Sequence, residues 1–362
     1  MAVRTALFGL AALVSAAFGG CARISPQAAI CAAAASSDDQ VQAKLAACAK
    51  VIAAGAQGDA LEQALAGRGE AYRMSSDYDR AIGDFDQALA MNPHDAMALD
   101  RRGLAYLSQD KTVLALADFN AAIRANPDDG EAFNSRGHLE RTQHAYDAAI
   151  ADESQAIELE PNEAPPWADR GYDFAAKHQW DSAIADFNDA LLRAPNGDTF
   201  ALQGRADAER GKGDAKAAIK DYDALLSDPH GDNALADAEA VVALSPPGDP
   251  EALNGRCWVR GVLDTELPAA LADCQQSLAA RPISAQTLDS LAFIYFRQGR
   301  FDEAVKEYTA ALTVDPKQTP SLFMRGVAKL RVGDSTGQDD IAAATSADKN
   351  VAGQFAGWGV KP

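Results

Sequence analysis

Residues 98–127 read ALDRRGLAYLSQDKTVLALADFNAAIRANP, and the same text returns on both sides of them. Ala98-Leu99, Arg102-Gly103, Ala105-Tyr106, Ala115, Asp118-Phe119 and Ala122 have counterparts one period earlier in Leu65, Arg68-Gly69, Tyr72, Ala81, Asp84-Phe85 and Ala88. A later set is Trp167, Arg170-Gly171, Phe174, Ala183, Asp186-Phe187 and Ala190. Proline punctuates the period. Pro93, Pro127, Pro161, Pro195 and Pro229 stand 34 residues apart, and Pro282 and Pro316 keep the same step. A fixed period of this length marks an array of small units, each packed on its neighbours.

Within a period, large apolar residues recur at helical spacing in two blocks. Short breaks such as Ser75-Ser76-Asp77 and Ser108-Gln109-Asp110 separate them, so each unit is a helix, a turn and a second helix. The proline ends the second helix, because inside a helix it would remove a donor and clash with the previous turn. Gly69, Gly103, Gly137 and Gly171 are expected to face Ala81, Ala115, Ala149 and Ala183 where the two helices cross.

This pattern resembles the tetratricopeptide repeat over roughly residues 62 to 350. The resemblance implies a right-handed superhelix of helix pairs whose first helices line a concave face. Members of that family mostly bind proteins or peptides there and seldom catalyse.

The phase breaks after Pro229. A helical run, Ala234 to Leu244, is stopped by Pro246-Pro247 and reads as an extra helix dividing two arrays. The expectation is an all-α, right-handed solenoid of about eight repeats. A leader occupies 1–21, a degenerate leading repeat 22–59, and a first array of five repeats 60–229. An inserted helix or linker at 230–248 precedes a second array of three repeats, the last degenerate, at 249–350, with a cap at 351–362. Trp358 is expected to cover the last open apolar edge.

The formal net charge is −19. That opposes nucleic acid and anionic membranes, which reward clustered Lys and Arg. It fits a self-repelling protein or a partner of positive charge. The N-terminus starts with Arg4 and continues in an apolar run from Ala6 to Phe18, the form of a secretory signal. Cleavage near Ala16 or Ala17 is one option. The other is Gly19-Gly20 before Cys21, which resembles a bacterial lipoprotein box, although Phe18 departs from it. Cys21 is then the lipidation candidate and the one link to a membrane.

There are five cysteines. Cys31 and Cys48 share the sequence spacing of Cys257 and Cys274, and Lys44-Leu-Ala-Ala-Cys48 mirrors Ala270-Leu-Ala-Asp-Cys274. Cys31–Cys48 and Cys257–Cys274 are therefore expected disulfides in an exported chain.

Arginine recurs at one phase and aspartate follows 16 or 17 residues later. The pairs are Arg68–Asp84, Arg102–Asp118, Arg136–Asp152, Arg170–Asp186, Arg205–Asp221 and Arg256–Asp273. A ladder of cations could await an anionic ligand. The structural reading, each Arg forked onto an Asp of its own or a neighbouring repeat, is the stronger. Arg325 keeps the phase as well, whereas Leu291 interrupts it.

No catalytic, metal or cofactor site is expected: the five histidines lack paired metal spacing, and no nucleophile elbow or phosphate loop is present. Function then rests on first-helix residues that differ between repeats. The candidates are Asp100, Asn134, His138, Arg141, Tyr172, Phe293, Phe296 and Arg297. The expected activity is a non-enzymatic, protein-binding scaffold of the bacterial envelope, most simply the periplasm, docking a peptide or helix. The alternative is an outer-membrane-tethered lipoprotein in an envelope assembly. Small-molecule or glycan binding has no support beyond Tyr172 and the groove. The partner's identity and the oligomeric state stay open.

Overall fold

The computed structural model describes residues 25–194, 197–228 and 231–360. The expected leader with Cys21, and also Pro195, Pro229 and His230, lie outside the described residues. Among the described residues there are twenty α-helices and no strand. The described residues divide into two compact units, one up to Gln143 and one from His144 onward.

The first unit opens with α1 (Pro26–Ala32) and α2 (Asp38–Ala53). Then α3 (Asp59–Met74) pairs with α4 (Tyr78–Met91), α5 (Ala96–Leu107) pairs with α6 (Thr112–Ala125), and α7 (Gly130–Thr142) follows. Aspartates start several of these helices: Asp77, Asp95 and Asp129 accept from the amides of Arg80, Ala98 and Glu131. The expected breaks are tight turns, with Ser76 and Asp110 in the left-handed region at φ 60° and 58°. The odd helices α1, α3, α5 and α7 touch one another in succession, whereas α2, α4 and α6 do not touch each other. The odd helices therefore form the inner layer of this unit.

The small residues work differently from the expectation. A Cβ on Gly103 would lie 2.6 Å from Cε1 of Phe119, and one on Gly171 would lie 2.8 Å from Cε1 of Phe187. The glycines thus make room for the aromatic ring of the second helix, not for an alanine. A planar ring reaches across the crossing point, while the alanines Ala81, Ala115 and Ala183 are simply buried beside it.

The second unit begins with α8 (Tyr146–Leu159). Hairpins follow in order: α9 (Pro165–Ala176) with α10 (Trp180–Arg193), and α11 (Thr199–Lys212) with α12 (Ala215–Leu225). Next comes α13 (Ala234–Leu244), alone. Then α14 (Pro250–Val262) pairs with α15 (Leu267–Ala280), α16 (Ala285–Arg297) with α17 (Phe301–Val314), and α18 (Thr319–Arg331) with α19 (Gly337–Ala347). The short α20 (Val351–Ala356) closes the chain. Here α9 touches α11, α14 touches α16, and α16 touches α18. Helix α13 packs between α12 and α14, and among the described residues α11 and α14 do not meet. The succession of first helices is thus interrupted inside this unit, because the insert supplies one helix where a repeat supplies two.

Disulfides tie two hairpins. Cys31 and Cys48 join α1 to α2, and Cys257 and Cys274 join α14 to α15, each across a separation of 17 residues. Closing a loop of that length removes unfolded-chain entropy worth about 3 kcal/mol. At the end of the chain, Phe355 stacks on Phe323 at 5.5 Å, and Trp358 packs against Trp258 and Phe293.

Candidate functional site

The recurrent arginines, read from the sequence chiefly as structural ion pairs, are occupied by aspartates. Arg102 donates from Nε and Nη2 to both oxygens of Asp118 at 2.8 and 2.7 Å. Arg68–Asp84, Arg170–Asp186, Arg205–Asp221 and Arg256–Asp273 repeat this fork. The aspartates are nearly buried, so each carboxylate needs its cation. Arg325 clasps Asp340 in the same way, a pair the sequence reading did not name because its separation is 15. Arg136 donates to Asn120 at 2.7 Å, while Asp152 belongs to the other unit.

What the inner layer of the first unit offers is a cavity of about 420 Å³ between α3 and α5, closed at one end by α1. Gln63, Ala66 and Glu70 of α3 face Met97, Ala98 and Arg101 of α5 across it. Met97 is 64% exposed although it is apolar. The charged groups are arranged in pairs. Arg101 reaches Glu131 at 2.5 Å and Asp100 at 3.3 Å, and Arg73 forks onto Glu70 at 2.8 Å. Burial, then Asp95, pushes the Glu62 carboxyl up to about 7. Lys44, nearly buried, donates to the Ala33 carbonyl at 2.7 Å, and burial lowers its pKa. The result is a mixed-polarity trough able to take backbone amides and an apolar side chain together.

A second cavity, about 700 Å³, opens in the other unit where α13 interrupts the layer. Thr199, Gln203 and Asp207 line it from one face of α11, four residues apart, with the Tyr172 and Phe200 rings beside them. The start of α13 forms the far wall.

Among the described residues no group of three His, Cys, Asp or Glu side chains is placed to hold a metal ion. A tetratricopeptide repeat model matches residues 66–129 and 101–164, and a second model of that family matches residues 285–318. The chain carries tetratricopeptide repeats over these residues. No curated protein matches its sequence significantly. Solved structures similar to it include the Cut9–Hcn1 hetero-tetramer of the APC/C, at 16% identity and TM-score 0.43, covering 80% of this chain. The chain spans about half the length of that relative, 53%. PilF of Pseudomonas aeruginosa is 16% identical with TM-score 0.44, covering 62% of this chain and 94% of its own. A tetratricopeptide repeat protein of Parabacteroides merdae is 16% identical with TM-score 0.42, covering 75% and 98%.

The candidate residues of this repeat protein fall into three groups. Asn134, His138 and Arg141 share α7, and Arg141 Nη2 lies 2.6 Å from Nδ1 of the exposed His138. Tyr172 belongs to the other unit; it donates to the Phe200 carbonyl at 2.7 Å and lines the second cavity. The remaining four do not stand open, and that corrects the expectation. Asp100 is 3% exposed and Phe293 1%. Phe296 is half-buried, edge-on to Phe301 at 5.3 Å. Arg297 donates to the carbonyls of Gly261, Val262 and Trp358. For Phe293 and Arg297 the reason is the chain's own end: the segment around Trp358 returns onto α16 and takes the surface that the phase count left free. Sequence reasoning also passed over Met97 as a leading candidate and missed Glu153, which stands at the Phe phase of Phe119 and Phe187 and is 0% exposed. Comparing that one phase across repeats would have found it.

Proposed function

We propose that this protein is a non-enzymatic scaffold of the bacterial cell envelope that docks a peptide or helix of a partner protein on the inner layer of its first unit. The observation that carries the reading is the trough between α3 and α5, with Met97 64% exposed and flanked by charged groups. An apolar side chain held in water at the edge of a concave, polar-walled site suits a partner's anchor residue. Export is supported by the N-terminal sequence and by the two disulfide-bonded pairs, since disulfides persist in oxidising compartments.

The full chain, immobilised and exposed to envelope extract, tests this. Gln63→Arg and Met97→Glu change exposed inner residues, whereas Val113→Ser changes an 80% exposed residue on α6. A partner retained by Val113→Ser and lost by the inner variants supports the trough. Equal loss in all three, or capture of nucleic acid alone, rejects it. Mass spectrometry of the mature N-terminus separates a soluble form from one tethered through a diacylglyceryl group on Cys21.

A further inference from the structure

Helix α1 is the least anchored wall of the trough between α3 and α5. It has 7 residues, and Cys31 is the one of them that is buried. Ile30 is 46% exposed, so the helix buries little apolar surface of its own. Isolated helices shorter than about 12–15 residues are marginal in water. Ala32, Ala33 and Ala34, which lead from it towards α2, are exposed.

Yet α1 touches both α2 and α3, and Cys31 and Ala32 line the cavity together with Lys44 of α2. Two ties bring it there. The Cys31–Cys48 disulfide fixes it to α2, and Lys44 Nζ donates to the Ala33 carbonyl at 2.7 Å. Helix α3 makes room for it: a Cβ on Gly67 would lie 3.0 Å from the Cys31 carbonyl oxygen and 3.3 Å from both sulfurs. The hydrogen bond is a modest tie, because the nearly buried Lys44 exchanges water for one carbonyl acceptor. The covalent bond therefore decides whether α1 stays in place. Cys257–Cys274 differs. There α14 buries Leu253, Val259 and Val262 as well as its cysteine, and Arg256 and Arg260 both bond to Asp273 of α15. That hairpin is closed without its sulfurs.

We propose that the Cys31–Cys48 bond is a redox gate on the docking trough. Oxidised, it holds α1 as the end wall, and the trough takes its partner segment. A dithiol reductant opens the gate. One thiolate attacks a sulfur of the pair, the S–S bond breaks, and the second thiolate resolves the mixed disulfide. Two electrons and two protons pass to Cys31 and Cys48, and the reductant leaves as a disulfide. Helix α1 is then released, Lys44 loses its acceptor, and that end of the trough opens to solvent. Cys31 lines the cavity, so an occupied trough shields the bond in return. The inference rests on the reading that the trough docks a partner, and it adds how that docking is controlled.

The test uses the full chain with Cys257→Ala and Cys274→Ala, in which Cys31–Cys48 is the disulfide that dithiothreitol acts on. Amide hydrogen exchange reads the gate without a partner. Reduction should speed exchange at Ala29 to Ala33 about tenfold or more and leave α6 unchanged. The docking probe is the envelope protein that the wild-type chain retains and Met97→Glu loses, purified and titrated by fluorescence anisotropy. Reduction should raise its Kd about tenfold. A Cys31→Ala, Cys48→Ala pair in the otherwise wild-type chain should do the same, and dithiothreitol should then add nothing. Saturating probe should raise, by the same factor, the ratio of reduced to oxidised dithiothreitol that half-opens the bond. Unchanged exchange in α1 on reduction would overturn the inference, since the helix then stays without its bond. So would one Kd for the oxidised and reduced chains, or a Kd already raised by Cys257→Ala and Cys274→Ala before any reductant is added. If the oxidised wild-type chain retains no Met97-dependent protein, the docking reading falls and the gate with it. Retention that ignores the bond defeats this inference alone.

Discussion

Arg102 and Asp86 stand on different hairpins, and Nη1 of the arginine donates to the aspartate carboxylate at 2.7 Å. The other two nitrogens of that guanidinium clasp Asp118 of its own hairpin. The reach to a helix of the preceding repeat recurs, from Arg136 to Asn120, Arg170 to Ser154 and Arg205 to Asn188. One side chain thus closes a hairpin and registers it on its neighbour.

Removing that arginine should cost more than removing the outer partner. Asp118 is 7% exposed and would lose its counter-charge. Arg102→Ala is expected to lower stability by about 2–4 kcal/mol, at or below the range for breaking buried pairs because Arg102 keeps some solvent. The Asp86 side chain is 53% exposed, so Asp86→Ala should cost about 1 kcal/mol or less. Arg102→Lys cannot reproduce the fork and should resemble the alanine variant. Urea unfolding followed by circular dichroism measures all three, and equal midpoints for Arg102→Ala and Asp86→Ala would contradict the assignment.

Two glycines in neighbouring repeats should respond oppositely to alanine. A methyl on Gly103 meets the Phe119 ring at 2.6 Å, so Gly103→Ala should cost about 2 kcal/mol through overpacking. Gly83 lies inside α4 with nothing within 4 Å of a new methyl. Gly83→Ala should therefore raise stability by about 1 kcal/mol through helix propensity. Thermal melts of the two variants decide the matter by the sign of the change in Tm.

These contrasts show what the period reveals and what it hides. The prolines, the turns at Ser76 and Asp110, and the Arg–Asp forks are readable because each depends on residues at most 17 apart and recurs. Depth is not readable this way. Phe293 and Arg297 hold inner-face phases, yet their fate is set by Trp358, 61 residues after Arg297. The cavity beside α11 likewise depends on a helix that is missing from its expected place, and the repeat text around Thr199 carries no mark of that. Gly103 was legible as a small position, but the identity of its neighbour depended on ring orientation.

Reduction should loosen the two stapled hairpins. Breaking Cys31–Cys48 frees α1 from α2, and Gly67 of α3 lies within 3.3 Å of both sulfurs by its absent Cβ. A Cys31→Ala, Cys48→Ala pair should lose about 3 kcal/mol from the leading hairpin. Limited proteolysis should then cut before Asp59 while the rest of the chain resists. A Cys257→Ala, Cys274→Ala pair should lower the urea midpoint by a similar energy. If dithiothreitol changes neither the melt nor the digestion of the wild-type chain, the bonds contribute nothing to its stability.

Asp100 should make stability fall as pH rises. Burial pushes its carboxyl from the ordinary 3.8 up to about 7, against the opposing pull of Arg101 and Ser135. Below about pH 4 the folded and unfolded chains both hold this proton. Between there and about 7 the unfolded chain releases it while the fold keeps it, so stability drops through that window and levels off above. Asp100→Asn should remove this contribution, gaining on the order of 3 kcal/mol relative to wild type between pH 4 and pH 8. Subtracting the wild-type from the variant urea stability across that range isolates the residue from the other carboxylates. A flat difference would show that Asp100 ionises normally in the fold.

Arg297 and Trp358 should behave as one unit in stability, not as a binding contact. The guanidinium lies 5.0 Å from the Phe293 ring centroid and donates to the Trp358 carbonyl at 2.7 Å. Trp358 in turn covers Phe293 and Trp258. Trp358→Ala should cost about 3 kcal/mol by opening that apolar contact, and Arg297→Ala about 2 kcal/mol by leaving buried carbonyls unpaired. Each change releases the same returning segment, so the double variant should cost clearly less than the two singles added. Charge reversal at Arg297 should then lower Tm before it affects any partner. Additive losses, or a stable Arg297→Glu variant that fails only in partner capture, would return Arg297 to the binding surface.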